Sequence, residues 1–315
     1  MHRTGALALL ALRPVTASVK PAMPVNRITI LHDSFGKRSD LRKDWGFAAL
    51  LEFGGKRILF DTGNNARTFA ENTETLGIDL RKLDFVAISH RHGDPTSGLN
   101  HLLKLNPGVK VYTPDETYGV FGSSLPGVFY PRCHTLPAYM QYYDGQPPEA
   151  IGHGTPWPEA QFVWIKETTE VSADVWLVSV VSDVPGTREM RELSLALRTP
   201  HGLVIVAGCS HPGIDKILAA SRAIEDRVHC IFGGLHLVLT KEPEIRRIAK
   251  ALREEWRVER ITPGHCAGEP GFLALSESFG DKCVYAGLGD SVELSWPQRG
   301  TLPNRALHPT QKTRG

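Results

Sequence analysis

Cysteine is scarce in this sequence and is not spaced for a disulfide framework. The chain has 315 residues and five cysteines, an odd number with no Cys-x-x-Cys pair. Small disulfide scaffolds and structural zinc knuckles need paired or closely spaced cysteines, so this composition argues against both. Reduced thiols in a cytoplasmic protein are the simpler interpretation. The five residues are Cys133, Cys209, Cys230, Cys266 and Cys283.

Long apolar runs are also missing. Residues 5–12 form an apolar run that ends at Arg13, well short of the ~18 apolar residues that a membrane span needs. A basic residue, an apolar run and small residues in this order are typical of a signal peptide, but no clean Ala-x-Ala site follows. We expect residues 1–26 to be a disordered extension or the result of an early start codon. Secretion or a periplasmic location is the alternative.

Neither sign of charge dominates. The formal net charge is +2, and seven of the positive charges lie in residues 1–26 and 299–315, which contain no acid. Without those seven charges, residues 27–298 carry a net charge of −5. A mildly acidic body with two sparse basic tails is not typical of a nucleic-acid-binding protein. We expect a small-molecule substrate, no membrane or nucleic-acid partner, and homo-oligomer formation as an open alternative.

Strand and helix patterns alternate along the chain and predict an α/β protein with helices packed outside the sheet. Residues 162–165, 174–181 and 193–198 predict a second run of antiparallel strands. The other predicted strands are 26–32, 45–53, 57–60, 85–88, 109–112, 202–207, 228–232 and 258–262, and the predicted helices are 65–76, one beginning near 97, 214–224 and 243–256.

The most informative stretch is Phe85-Val86-Ala87-Ile88-Ser89-His90-Arg91-His92-Gly93-Asp94. Side chains i and i+2 of an extended chain lie on one side, so His90 and His92 can approach one point. Asp94 follows a glycine turn as an anionic oxygen ligand, and Thr96 and Ser97 are candidate N-caps. Two imidazoles and a carboxylate suit a borderline divalent cation such as zinc, with iron and manganese as alternatives. The alternative is a solvated histidine-rich turn that binds no metal.

An aspartate also follows the strand at 57–60, in the sequence Asp61-Thr62-Gly63. Such an aspartate can support a neighbouring metal-binding imidazole by accepting its free N–H. It can equally be a turn residue that binds its own backbone. The sequence leaves both interpretations open.

Residues 117–159 lack periodicity and combine many aromatic residues with glycine and proline. A loop of this length in a compact domain is typically functional or disordered, and its aromatic content disfavours disorder. We predict that it covers the site or forms a surface for an oligomer partner. His134 and His153 lie within it and are expected to be ordinary loop histidines.

Histidines follow four separate predicted strands: His90 and His92 together, then His211, His236 and His265. Loops at one edge of a sheet converge, so histidines at successive strand ends can meet there. This recurrence predicts a metal site. His236 is a candidate for holding a developing oxyanion or an anionic substrate group, and a turn-capping role is its alternative.

These motifs resemble the metallo-β-lactamase superfamily. The resemblance covers residues 27–292 and rests on Asp61-Thr62-Gly63, the His90-x-His92-x-Asp94 motif, Gly208-Cys209-Ser210-His211 and Pro263-Gly264-His265-Cys266. Gly-Cys-Ser-His-Pro-Gly and Gly-Gly-Leu-His-Leu are similar to the branch of 7,8-dihydropterin-6-methyl-4-(β-D-ribofuranosyl)aminobenzene-5′-phosphate synthase.

The resemblance implies a four-layered αββα sandwich over residues 27–298, with 117–159 as an insertion and 299–315 as a basic tail. It further implies that the metal centre holds one or two ions, expected to be Zn²⁺, with Mn²⁺ or Fe²⁺ as alternatives. His90, His92 and His211 would bind the first ion, and Asp94 and His265 would bind the second.

Position 95 departs from the family pattern, because proline stands where a histidine usually follows the aspartate. The second ion therefore loses a nitrogen ligand. We expect a filled first site and a labile second one, with completion by His236 or Cys209 and a degenerate centre as alternatives. Pro95→His should raise the bound metal toward two ions per chain, and no gain would mean that another residue already fills the place.

The predicted activity is metal-dependent hydrolysis of an ester, lactone or phosphoester. A bound cation lowers the pKa of water toward ~7, and Asp94 would orient that water or accept its proton. A transferase of the dihydropterin type is the second hypothesis, although the sequence contains no P-loop or tight basic cluster for phosphates. A non-catalytic binding protein is the third.

Overall fold

The computed structural model describes residues 26–115, 132–146, 157 and 159–294. Three predictions fall wholly or mostly outside these residues: the N-terminal extension 1–26, the C-terminal tail 299–315, and much of the insertion 117–159, including His153.

Among the described residues, the first sheet has seven strands in the order β13-β1-β2-β3-β4-β5-β6. Antiparallel pairing joins β13, β1, β2 and β3, with a turn at Gly54-Gly55 between β2 and β3, and the remaining pairs are parallel. The strands are β1 (Arg27–His32), β2 (Ala48–Phe53), β3 (Lys56–Phe60), β4 (Phe85–Ala87), β5 (Lys110–Pro114), β6 (Gln161–Ile165) and β13 (Ser291–Glu293).

In the part of the chain that the structure describes, the second sheet has six strands in the order β12-β11-β10-β9-β8-β7. Its β10-β11-β12 end is parallel, and the rest is antiparallel. Every residue of β10 is buried, as expected for a central strand covered on both faces. The strands are β7 (Thr169–Ser172), β8 (Val175–Val181), β9 (Arg191–Thr199), β10 (Gly202–Ala207), β11 (Val228–Gly233) and β12 (Arg260–Pro263).

The described residues form six α-helices. They are α1 (Ala66–Thr75), α2 (Gly93–Thr96), α3 (Leu99–Leu105), α4 (Ile214–Ser221), α5 (Glu242–Glu254) and α6 (Glu269–Phe279). Five of them (α1, α3, α4, α5 and α6) pack on the outer faces of the two sheets.

Three hydrophobic clusters define the layers. One lies between the sheets and includes Phe60 and Phe232. A second packs Phe69 of α1 and Leu102 of α3 against the first sheet, and a third packs α4, α5 and α6 against the second sheet. Each sheet thus buries one face on the other sheet and one on helices. The predicted αββα sandwich is confirmed.

Several local predictions were wrong. The strand at 162–165 is β6, which pairs in parallel with β5 in the first sheet instead of joining the antiparallel run. Apolar alternation identifies a strand, but it does not reveal which sheet the strand joins. The sequence analysis also missed β7, β13 and α6. Helix α6 begins with Pro270 and Gly271 in its first turn, which resembles a loop in sequence although proline is permitted there.

The predicted N-caps Thr96 and Ser97 are not caps. Gly98 precedes α3 and makes no side-chain cap hydrogen bond. Instead, Thr96 Oγ1 donates to the carbonyl of His92 and Ser97 Oγ donates to the carbonyl of Gly93, each over 2.8 Å. The helical turn thus begins earlier, at Gly93. Both hydroxyls therefore stabilise the turn that carries Asp94.

Among the described residues, none of the helices is long and apolar enough to cross a membrane.

Candidate metal centre

The predicted site residues follow the carboxyl ends of five strands at one edge of the sandwich. Asp61 follows β3, His90 follows β4, His211 follows β10, His236 follows β11 and His265 follows β12. Within each sheet these strands are parallel neighbours, so their carboxyl ends lie on the same side. The topology therefore gathers residues that are more than 200 positions apart in the sequence.

His90, His92 and His211 form a compact group of three imidazoles. Their ring centroids are 4.8 Å apart for His90 and His92, 4.6 Å for His90 and His211, and 4.9 Å for His92 and His211. One ring nitrogen from each lies within 4.8 Å of the other two. A single cation can be bound by all three residues.

A chain of hydrogen bonds holds the ring of His90. Ser89 Oγ lies 2.8 Å from Nδ1 of His90 and donates to a carboxylate oxygen of Asp61 over 2.7 Å. The other oxygen of Asp61 accepts from the backbone N–H of Ser89. Asp61 therefore supports the imidazole through Ser89 rather than directly. Gly208 permits this approach, because a Cβ there would lie 2.3 Å from Ser89 Oγ.

Glu192 holds the ring of His211. Its Oε2 accepts from Nδ1 and from the backbone N–H of His211 over 2.9 and 2.8 Å, and its Oε1 accepts from the N–H groups of Cys209 and Ser210. The sequence analysis did not identify this residue. The sequence feature that could have revealed it is a glutamate near the start of the apolar strand β9. In the structure its side chain is fully buried.

The surroundings keep two of the imidazoles neutral. Burial lowers the pKa of His211 to about 3, despite the opposing effect of the Glu192 charge. Burial and the charge of His90 lower the pKa of His92 to about 4. Burial opposes ionisation of Glu192, but His211 and the donated hydrogen bonds outweigh it and lower the pKa to about 2. Glu192 is thus an anion that accepts the Nδ1 proton of a neutral imidazole.

This arrangement fits a divalent metal ion. With Nδ1 of His211 and of His90 engaged by other groups, the opposite nitrogen of each ring is available as a ligand. Nε2 of His90 is buried and has no hydrogen-bond partner, which is costly for a polar atom unless something binds it. Three imidazoles suit zinc and related borderline cations.

Asp94 and His265 lie beside the three imidazoles. Oδ1 of Asp94 is 3.4 Å from Nε2 of His90, and Oδ2 is 3.3 Å from Nε2 of His265. Oδ2 also accepts from the indole N–H of Trp45 over 3.1 Å. Burial raises the pKa of a carboxyl group, but the two imidazoles outweigh it and hold the pKa of Asp94 well below its usual range.

His236 lies next to the same group. Its ring centroid is 4.2 Å from that of His211, and its buried Nδ1 has no hydrogen-bond partner. The residue adopts a left-handed conformation with φ of 49°, and its backbone N–H donates to the sulfur of Cys266. The Thr240 hydroxyl is 3.5 Å from the His236 carbonyl. The left-handed backbone at His236 therefore helps to direct its ring toward His211.

Residues 132–146 of the 117–159 insertion pack against the Asp94–His265 side of the centre. Tyr142 is fully buried, packs on Trp45 with ring centroids 5.3 Å apart, and donates a hydrogen bond to the carbonyl of His265. The carboxylate of Glu269 accepts from the backbone N–H groups of Cys133 and Tyr142. This segment therefore helps to position the second group of residues.

A groove of about 560 Å³ adjoins the centre. His211, His236 and Trp256 are among the residues that line it. Its walls come from α4, α5 and the loop after β11, and they combine apolar side chains with Lys216 and Arg247. A small organic molecule fits a groove of this volume.

Comparisons with known proteins agree with this geometry. Residues 56–140 match the family model of the Beta-lactamase superfamily domain. A 7,8-dihydropterin-6-methyl-4-(beta-D-ribofuranosyl)-aminobenzene-5'-phosphate synthase from Methanocaldococcus jannaschii is 26% identical over 268 residues, which cover 76% of this chain and 86% of that protein.

Solved structures with a similar fold also come from the metallo-β-lactamase superfamily. The crystal structure of Tm1679, a metal-dependent hydrolase of the beta-lactamase superfamily, has a TM-score of 0.65 and 28% identity, and the match covers 86% of this chain and 99% of that chain. The metallo-beta-lactamase fold protein YhfI from Bacillus subtilis has a TM-score of 0.53 and 12% identity, with 86% and 100% covered, and supports the fold alone.

The fold and the grouped residues are those of the metallo-β-lactamase superfamily, which this chain resembles in sequence and in structure. Within the superfamily, the chain is similar to the branch that contains the M. jannaschii synthase.

Proposed function

We propose that the protein is a metal-dependent hydrolase that acts on an ester, lactone or phosphoester of a small molecule. The observation that carries the proposal is the group formed by His90, His92 and His211. Two of its rings are held by buried hydrogen bonds to Ser89 and Glu192, which is the support that metal-binding imidazoles require.

His90, His92 and His211 would hold the first ion, expected to be Zn²⁺, with Mn²⁺ or Fe²⁺ as alternatives. When bound, such an ion supplies a Lewis acid that generates a nucleophile from water near neutral pH. Asp94 would orient the water or accept its proton, because its carboxylate lies between His90 and His265. His236 would donate to an anionic group of the substrate, because its Nδ1 is unpartnered beside His211.

A transferase activity is the second candidate. The similarity to the M. jannaschii synthase favours it, because that relative matches over most of both chains. Lys216 and Arg247 line the groove and offer positive charge, but each already pairs with an acid, Asp183 and Glu244 respectively. A phosphorylated substrate would have to compete with these acids, which is why we rank hydrolysis first.

Elemental analysis and product analysis test the proposal together. The purified protein is supplemented with Zn²⁺, Mn²⁺ or Fe²⁺ and then assayed with panels of phosphodiesters, lactones and β-lactams. We expect at least one bound ion per chain and hydrolysis of compounds from one of the panels. His92→Ala should lose the metal and the activity, whereas the matched control His229→Ala should keep both, because His229 pairs with Glu259 outside the centre.

Two outcomes would contradict the proposal. Less than about a tenth of an equivalent of metal after supplementation would favour a non-catalytic binding protein, since a preformed site of neutral imidazoles should load. A metal-loaded protein that transfers an aminobenzene ribosyl phosphate to a pterin, without hydrolysing any panel member, would favour the transferase.

A further inference from the structure

Proline at position 95 cannot serve as a metal ligand, and its backbone is already engaged. Its carbonyl accepts from both the backbone N–H and the hydroxyl of Thr62, each over 2.7 Å. Asp94 and His265 nevertheless remain together, with one ligand atom of each 3.3 Å apart. The question is which side chain completes a cation site around this pair.

The sulfur of Cys209 occupies a suitable position. Sγ of Cys209 lies 3.3 Å from Nε2 of His265 and 3.9 Å from Oδ2 of Asp94. With the 3.3 Å between the latter two atoms, these distances define a small triangle of sulfur, nitrogen and oxygen. Cys209 and His265 are buried, and the side chain of Asp94 is 12% exposed.

The triangle has the size of a tetrahedral coordination face. Zinc-type ions bind nitrogen and oxygen at about 2.0–2.2 Å and thiolate sulfur at about 2.3 Å, so neighbouring ligand atoms lie roughly 3.3–3.6 Å apart. The observed separations of 3.3, 3.3 and 3.9 Å need only a small adjustment of the sulfur to match. The chemistry also fits, because thiolate, imidazole and carboxylate are all ligands of zinc.

Asp94 connects this triangle to the three imidazoles. Its Oδ1 is buried, has no hydrogen-bond partner and lies 3.4 Å from Nε2 of His90. Its two oxygens therefore face the two groups separately. A carboxylate placed in this way can serve two neighbouring cations.

We propose that Cys209 is a thiolate ligand of a second divalent cation, together with Asp94 and His265, and that it replaces the imidazole missing at position 95. The inference rests on the proposed function, since it assumes that the three imidazoles hold the first cation. The Cys209 thiol loses its proton to solvent when the sulfur–metal bond forms, because the thiolate is the ligand. The second cation site is then bound by one sulfur, one nitrogen and one oxygen.

A competing arrangement uses the same sulfur. Cys209, His236 and Cys266 offer ligand atoms that lie within 4.8 Å of one another. Cys266 Sγ, however, already accepts from the backbone N–H of His236 and contacts the carbonyl of Cys209. The ligand atoms of the Asp94–His265 set lie 3.3–3.9 Å apart, close to tetrahedral spacing, which is why we favour that set. Cys266 is the residue that distinguishes the two arrangements.

Titration of the full-length, metal-free protein with Co²⁺ alone tests the inference. The first equivalent should produce only the visible d–d absorption of nitrogen-bound cobalt. The second should add thiolate-to-cobalt charge-transfer absorption in the near ultraviolet. Cys209→Ser should keep the first ion, lose the charge-transfer absorption and bind the second ion at least about tenfold more weakly. Cys266→Ser and the distant control Cys283→Ser should retain the absorption.

Several results would overturn the inference. These are a single bound Co²⁺ without charge-transfer absorption, retention of that absorption in Cys209→Ser, or its loss in Cys266→Ser. Should Cys209→Ser fail to fold, absorption in the wild type that persists in Cys266→Ser and Cys283→Ser and disappears in His265→Ala would support the inference. A protein that binds no Co²⁺ at all contradicts the proposed function, whereas binding of only the first ion contradicts this inference alone.

Discussion

Glu192 Oε2 and His211 Nδ1 are 2.9 Å apart, and both side chains are almost fully buried. The low pKa values of both groups mean that the carboxylate is charged and the imidazole is neutral at pH 7. The imidazole therefore donates its Nδ1 proton and presents Nε2 as a lone pair. This single hydrogen bond determines which nitrogen of His211 can bind a metal.

Glu192→Gln should weaken metal binding without unfolding the protein. The amide oxygen can still accept backbone hydrogen bonds, but the amide NH₂ facing Nδ1 favours the tautomer that carries its proton on Nε2. We expect metal affinity to fall about 10–100-fold, measured by competition with a chromophoric chelator. Glu259→Gln is the matched control, because Glu259 makes a similar bond to His229 at an exposed position. Equal losses in both variants would contradict this explanation.

Ser89→Ala should destabilise the protein and weaken metal binding. Removal of the hydroxyl leaves an oxygen of the buried Asp61 and Nδ1 of His90 without their shared partner. An unsatisfied buried polar group costs about 1–3 kcal/mol, which urea unfolding of the metal-free protein can measure. Ser194→Ala is the control, because its buried hydroxyl has no partner to lose. Unchanged stability and metal affinity in Ser89→Ala would show that this hydrogen-bond chain is unimportant.

The variant Pro95→His distinguishes two hypotheses about the second cation site: that it lacks a ligand, or that Cys209 already completes it. In the wild-type background we expect little gain in bound Co²⁺, because the thiolate occupies the missing position. In the Cys209→Ser background the new imidazole should restore the second ion, without restoring charge-transfer absorption. Counting ions per chain by elemental analysis measures both effects. A large gain in the wild-type background would instead support the expectation of a labile, incomplete second site.

Asp33→Asn should make the stability of the metal-free protein less dependent on pH. Burial raises the pKa of Asp33 to about 7, although the hydrogen bonds from His265 and Phe35 oppose this. Because the folded-state pKa lies above the unfolded value, Asp33 does not destabilise the fold below about pH 4. As pH rises from 4 to 7, ionisation progressively costs stability, up to roughly 4 kcal/mol.

Urea unfolding at pH 5 and pH 8 measures this effect. The wild type should lose more stability than Asp33→Asn between the two values, since the amide cannot ionise. Asp40→Asn is the control, because Asp40 is exposed and pairs with Arg38. Equal pH dependence in the wild type and Asp33→Asn would contradict the raised pKa.

Local patterns in the sequence predicted most of the strands and helices. The alternation of β2 and β3, the apolar run of β10 and the periodicity of α5 depend on neighbouring residues, so they identified these elements without tertiary information. The i, i+2 spacing of His90 and His92 is likewise local. The structure adds that His211 joins them, as the repeated occurrence of histidine at strand ends had predicted.

Long-range contacts decided the rest. Glu192 lies 19 residues from His211, and Cys209 lies 56 residues from His265. Sequence periodicity does not predict that these residues are in contact, because the order of strands within the two sheets brings them together. The sequence by itself determined which side chains the strand ends carry. Only the tertiary structure decided which of them share a hydrogen bond or a cation, because that depends on how strands from distant parts of the chain pack side by side.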